Sequence, residues 1–186
     1  MVNVHRATTS VSKVVAPKRA ASPGFTLVEM MIVVLIISII GAMAVARLGN
    51  TSLTRLRAAA NVLAADLSFA QVESIAHADS PRVVVFNPTT STYHIATTAD
   101  LDVPITNPIT KTPYSVRFGH GTAATLEGVT LSPTGVGGDN KLAFGAYGQI
   151  DQATSATVTL LCNGSNITLT INAITGEVTI SDIISN

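Results

Sequence analysis

Seventeen consecutive residues from Met30 to Ala46 (MMIVVLIISIIGAMAVA) carry no charge, and one acid, Glu29, stands immediately before them. As a helix the run is about 26 Å long at 1.5 Å per residue; begun at Phe25 it has 22 residues and about 33 Å. That is enough to cross a hydrocarbon core of about 30 Å. A carboxylate at the edge of such a run is rare, because an unpaired charge at the centre of a membrane helix costs about 2.5–3.5 kcal/mol on insertion scales, and less near its end. Within the run, Ser38 can bond back to its own helix, and Gly41 is tolerated in membrane helices.

The formal net charge of zero hides a split. Residues 1–24 hold Arg6, Lys13, Lys18 and Arg19 and no acid, giving +4, and the remainder holds seven basic residues against eleven acids, 7 − 11 = −4. Under the positive-inside rule the basic segment stays cytoplasmic and the residues after the apolar run face outward. The acidic balance of the larger part argues against a phosphate-backbone partner, so no nucleic acid is expected.

Three readings fit an apolar run behind a basic segment. A secretory signal peptide would use Lys18 and Arg19 as its charged region and Ala42-Met43-Ala44 or Ala44-Val45-Ala46 as its cleavage site. Against it stand the length of the run, Glu29 inside its start, and a helical pattern that continues past Ala46. An uncleaved single-pass anchor explains the length but neither Glu29 nor the Gly24-Phe25 junction.

The third reading comes from Gly24-Phe25-Thr26-Leu27-Val28-Glu29, which resembles the prepilin-type cleavage and methylation site of type IV pilins and type II secretion pseudopilins. The resemblance implies that a membrane-embedded prepilin peptidase cuts after Gly24 and methylates the new amino terminus on Phe25. Glu29 then becomes the fifth residue of the mature chain, where its carboxylate pairs with a neighbouring subunit's terminal ammonium. Phe25, Thr26, Leu27, Val28 and Glu29 thereby form the subunit-assembly segment. Ala46 stands about where many members have a proline, so Gly49-Asn50 is the expected weak point of the helix. Residues 1–24 are read as a basic leader, disordered and removed.

Past Gly49-Asn50, Leu53, Leu56, Ala60, Leu63, Leu67 and Ala70 recur at three- and four-residue intervals, so residues 47–80 read as an amphipathic helix. Arg55, Asn61, Asp66 and Glu73 fall largely elsewhere around it. The pattern runs to about Ala78, where Asp79-Ser80-Pro81 ends it, since the residue before proline is pushed out of the helical region. Together with residues 25–46 this makes one rod of some 50 residues.

Beyond Pro81 the period changes to that of strands. Residues 82–86 and 92–97 form a hairpin about the turn 87–90, and residues 98–113, with Pro104, Pro108 and Pro113, form a loop. Short strands are predicted at 114–118 and 128–131, a flexible loop at 135–140, and a Leu142-Ala143-Phe144 segment leading to Gly148. Strands 157–162 and 167–171 flank Asn163-Gly164-Ser165-Asn166, where Asn-Gly is a strong hairpin signal. Thr175-Gly176 turns into a closing strand at 177–180. Threonine at alternate positions suits a sheet with one wet face. The predicted class is α+β, a long N-terminal helix with a membrane half and an amphipathic half, packed on an antiparallel β domain over 81–186.

That succession is similar to minor pseudopilins of the H class (GspH/FimT-like), on Phe144, Gly148, Gly176 and the strands around Ile171 and Ile180. Cys162 is the sole cysteine, which excludes an intrachain disulfide, and its strand context makes it a small apolar core residue. The missing disulfide favours a minor pseudopilin over a typical major pilin.

Chemistry is sparse. His5, His77, His94 and His120 are scattered without partners at ligand spacing, so no metal and no cofactor is expected. Asp100, Asp102 and Asp139 miss the calcium-loop spacing, and solvation is the commoner fate of such loop acids. No catalytic order or phosphate loop appears, so the chain is not expected to be an enzyme.

The expected role is a minor pseudopilin of a type II secretion system. It is held in the bacterial inner membrane with the N-terminus cytoplasmic and the domain periplasmic, then packed with other pseudopilins into a periplasmic filament. The alternatives are a minor pilin of a type IV pilus, serving pilus assembly or DNA uptake, and a membrane-tethered binding module that never polymerises.

Overall fold

Thr26 sets the start of the first helix. Its Oγ1 accepts the Glu29 backbone N–H at 3.2 Å, and its carbonyl accepts from Met30 N at 3.2 Å. Thr26-x-x-Glu29 is the sequence form of a capping box, in which an N-cap hydroxyl satisfies an otherwise unpaired first-turn amide. Helix α1 therefore runs Leu27–Arg47 rather than from Phe25. The computed structural model describes residues 24–47 and 51–185, and of residues 42–47 the backbone only. Residues 1–23 of the leader expected over 1–24, with His5, and the weak point at Gly49-Asn50, on which a continuous rod depends, lie outside the described residues.

Apart from Glu29 and Ser38, the described side chains of α1 are apolar, and those of Leu27, Met31, Val34 and Ile37 are all exposed. Ser38 Oγ donates to Val34 O at 2.7 Å, which pairs its hydroxyl with its own helix. Among the described residues no helix is long and apolar enough to cross a membrane, the described side chains of α1 ending at Gly41.

The chain divides at Arg47–Leu48, and the second unit is built on α2, Thr51–Ala76. Leu56, Ala60, Leu63, Leu67 and Ala70 are fully buried along one face, as their spacing predicts, while Leu53 is only half-buried. Ala59 and Ser74 complete the buried face. The helix closes two residues earlier than predicted. His77 N still bonds Glu73 O at 2.9 Å, but Ser80 N turns back to His77 O, and buried Ser74 Oγ accepts Arg82 N at 2.7 Å. That hydroxyl ties the chain reversal to the helix.

Two antiparallel sheets follow. The first has the order β3-β2-β1-β5, with β1 Arg82–Asn87, β2 Thr92–Thr97, β3 Ser115–Arg117 and β5 Lys141–Ala143. Register places Val84 opposite Ile95 on one side and Leu142 on the other, and Phe86 opposite Tyr93. The second has the order β4-β6-β7-β8, with β4 Thr130–Thr134, β6 Ala156–Cys162, β7 Ser165–Ile171 and β8 Val178–Ile180; β9, Ile184–Ser185, pairs with β7. Helix α2 packs against β1, β6, β7 and β8, so both sheets share its buried face.

The alternation of β6 and β7 is as predicted. Val158, Leu160, Cys162, Ile167, Leu169 and Ile171 point inward, while Thr157, Thr159, Thr168 and Thr170 face out. Asn163 and Gly164 both have positive φ, 49° and 80°, the signature of the two-residue turn that matches strand twist. The turn is those two residues alone, because Ser165 already pairs with Cys162.

Larger differences from the sequence reading lie elsewhere in the second unit. β4 starts at Thr130 and reaches Thr134 instead of spanning 128–131. Pro133 disguised it, yet an edge strand tolerates proline because that side of the backbone needs no ladder donor. A 3-10 helix at Gly121–Leu126 was not foreseen; it buries Ala123 and Leu126. The tail, too short to read as a strand, is held as β9.

Candidate functional site

The N-terminal segment presents its chemistry openly. Gly24 through Met30 are exposed, and among the described residues, its chain neighbours aside, nothing lies within 4 Å of where a Cβ on Gly24 would stand. The described part of the fold therefore places no steric demand for glycine there. Glu29 sits in the first turn of α1, where the unpaired amides of a helix start favour a negative charge. None of the ion pairs among the described residues includes it.

In the second unit, Phe144 is buried and Gly148 and Gly176 are the pivots of two touching turns. Gly148 has φ +84°, and a Cβ there would stand 3.0 Å from Gln71 Nε2 and 3.1 Å from Ile75 Cδ1. Gly176 has φ +66°, and a Cβ there would collide with Gly148 O and Gln71 Nε2. The amide of Gln71 explains the crowding. Its Nε2 donates to Gly148 O at 2.9 Å and to Thr175 O at 2.6 Å, so one α2 side chain holds both turns. Ile150 N bonds Ala173 O and Asp151 N bonds Ala143 O, so the segment after β5 passes from the first sheet to the second across this clamp.

A second tie joins α2 to the first sheet. Asp66 Oδ2 accepts the Tyr93 hydroxyl at 2.6 Å and Oδ1 accepts the Tyr114 hydroxyl at 2.9 Å. Burial raises the Asp66 carboxyl above its ordinary range, and the two phenols pull it part of the way back. Both phenols are pushed up, first by burial and then by the Asp66 charge. Tyr114 stacks on Phe69 with ring centroids 5.2 Å apart, and Tyr93 meets Phe118 edge-on at 5.9 Å.

A family profile described as "Prokaryotic N-terminal methylation motif" matches residues 19–45. The fold is similar to that of the minor pseudopilin EpsH from the type 2 secretion system of Vibrio cholerae, with a TM-score of 0.51 and 16% identity over 68% of this chain and 96% of that one. The fold is pilin-like. The type IV minor pilin FimU of Pseudomonas aeruginosa PAO1 is also similar, with a TM-score of 0.50 and 18% identity over 71% of this chain and 92% of that one. At such identities both likenesses concern the fold alone. No curated protein matches the chain by sequence.

Within this fold Cys162 is buried in β6 and His120 is exposed. His94 Nε2 contacts Leu101 O at 2.8 Å, and His77 pairs with Glu73. Among the described residues no three His, Cys, Asp or Glu side chains are placed to hold a metal. Asp139 pairs with Lys141 at 3.1 Å, which lowers its carboxyl. Asp66 and Gln71 escaped the sequence reading. Each is one polar residue on a helix flank, and their partners lie 27 to 104 residues away.

Proposed function

We propose that this chain is a minor pseudopilin, a structural subunit stored in the bacterial inner membrane and assembled with other pseudopilins into the filament of a type II secretion system. The observation that carries the reading is the methylation motif laid on α1, whose described side chains are exposed and mostly apolar and whose single acid, Glu29, lies in the first turn. In this reading α1, completed by residues 42–47, spans the membrane before assembly, with the basic leader cytoplasmic and the β domain periplasmic.

A prepilin peptidase cuts after Gly24. Since the described residues leave room for a Cβ there, the preference for glycine is assigned to the close approach of the protease. Methylation follows on the Phe25 amine. Glu29 then meets the terminal ammonium of an adjacent subunit, each neutralising the other in low dielectric and fixing axial register. Thr26 through Val28 form the rest of that contact. The H-class assignment rests on Phe144, Gly148 and Gly176 at the Gln71 clamp. No enzymatic role is proposed.

The second reading, a minor pilin of a type IV pilus, is favoured by the likeness to FimU. The acidic balance and the tail without a basic residue, Ser181–Asn186, count against DNA uptake.

The mass of the chain purified from its host tests the core of the proposal. A chain beginning at Phe25 with one added methyl supports it, and one that keeps its leader overturns it. Loss of secreted proteins on deletion, with pili intact, selects secretion over the pilus. Glu29→Ala should insert in the membrane yet fail to enter filaments, whereas a simple tether would be indifferent.

A further inference from the structure

Asp66 does more than brace the sheet, because it also faces a cleft of about 370 Å³ between α2, the loop at Asn107–Thr110 and the 3-10 helix. Along α2, Ala58, Val62 and Asp66 follow one another at four-residue spacing, so they line one strip of the helix surface. Ala58 and Val62 are small, which leaves the space, and Leu126 walls the far side. Val62 is 38% exposed, so the cleft opens to solvent. Asn107, Thr110 and Thr122 give it a neutral polar rim.

The cleft is lopsided in charge. Each Asp66 oxygen accepts a single phenol, and a carboxylate oxygen has a second lone pair to offer. None of the ion pairs among the described residues includes Asp66, and no described basic residue lines the cleft. A half-buried carboxylate fixed by two phenols at the end of an apolar strip complements a cation on a flexible apolar stem. An alkylammonium has that form, and its compact charge needs only one free lone pair.

We infer that this cleft receives the ε-ammonium of a lysine from a neighbouring subunit, seated on Asp66 with its stem along Val62 and Leu126. The source of the lysine rests on the filament reading above; the chemistry of the cleft does not. Such a contact gives the β domain a polar key between subunits, separate from the one at Glu29.

Two measurements on the full chain test it. In detergent, n-butylammonium should shift the Asp66 carboxyl carbon and Tyr114 ring resonances at neutral pH, while n-butanol should leave them unmoved. In assembled filaments, carbodiimide joins a carboxylate to a touching lysine as an amide with net loss of water. Asp66 should then be recovered linked to a lysine of another polypeptide, and Asp66→Asn should lose that link.

The Asp139–Lys141 pair is the internal control. Filaments in which that pair links and Asp66 does not would overturn the inference while leaving the filament reading intact. A shift with butylammonium but no link would make the site one for free amines and overturn the neighbouring-lysine source. Failure to form filaments at all would count against the pilin-like assembly, and the titration would still decide the cleft, no shift refuting it. Should Asp66→Asn not fold, the wild-type link and titration carry the decision.

Discussion

Gly176→Ala against Gly164→Ala separates backbone strain from the crowding at the Gln71 clamp. Both glycines have positive φ, +66° and +80°, so either alanine meets the left-handed penalty of roughly 1–2 kcal/mol. The surroundings differ. Among the described residues, its chain neighbours aside, nothing lies within 4 Å of a Cβ at Gly164, whereas a Cβ at Gly176 collides with Gly148 O and Gln71 Nε2. Relieving that collision means parting the two turns and losing both Gln71 hydrogen bonds, at about 1 kcal/mol each. The Gly176 variant should therefore lose about 3–4 kcal/mol in all, some 2 kcal/mol more than its control. With a urea slope of about 1–3 kcal/mol per molar, the unfolding midpoints should stand about 1 M apart. The assay is urea unfolding of the full chain in detergent. Adding Gln71→Ala to Gly176→Ala should cost little more, because the same two bonds cannot be lost twice. Midpoints that agree within about 0.3 M, or full additivity with Gln71→Ala, would refute the clamp.

Ser74→Ala removes the acceptor of the Arg82 amide at a fully buried position and should cost about 1–3 kcal/mol by the same urea assay. Asp66 has a raised native carboxyl, so between the ordinary 3.8 and that raised value the folded state holds more protons than the unfolded one. Its contribution to stability should therefore grow as pH falls through that window, and the slope should vanish in Asp66→Asn if urea midpoints are compared across it. The phenols Tyr93 and Tyr114 are raised as well, so stability should fall as pH climbs above 10, and less so in Tyr114→Phe. Glu29→Gln keeps the shape and removes the charge; electron microscopy of cells should show it absent from filaments, and normal incorporation would remove the proposed ammonium partner.

The parts of the fold with local causes were legible. The α2 stripe, the β6–β7 alternation and the Asn163-Gly164 turn each follow from a period or a backbone preference held within a few residues. Thr26-x-x-Glu29 was equally local, yet its carboxylate drew attention away from its role as a cap. What stayed hidden depends on distance along the chain. Gln71 serves carbonyls 77 and 104 residues away, and Asp66 meets Tyr114 across 48. Neither residue has a neighbour that marks it. β4 was obscured because the ban on proline in strands lapses at an edge, and edges are a property of the assembled sheet. The Thr175-Gly176 turn was legible in the residues themselves, but its contact with the Gly148 turn was not, and the Gln71 amide supplies the physical reason for that contact.

The pairing of β1 with β5 has a kinetic corollary. β2 reaches β1 through a short turn, but Val84 must find Leu142 across the whole intervening chain. Loop closure of that length is entropically expensive before any contact repays it, whereas β6 and β7 zip from a two-residue turn. The second sheet should thus nucleate first, with Lys141–Ala143 docking late. Pulse-labelled hydrogen exchange would then find the β6–β7 amides protected while those of β5 still exchange.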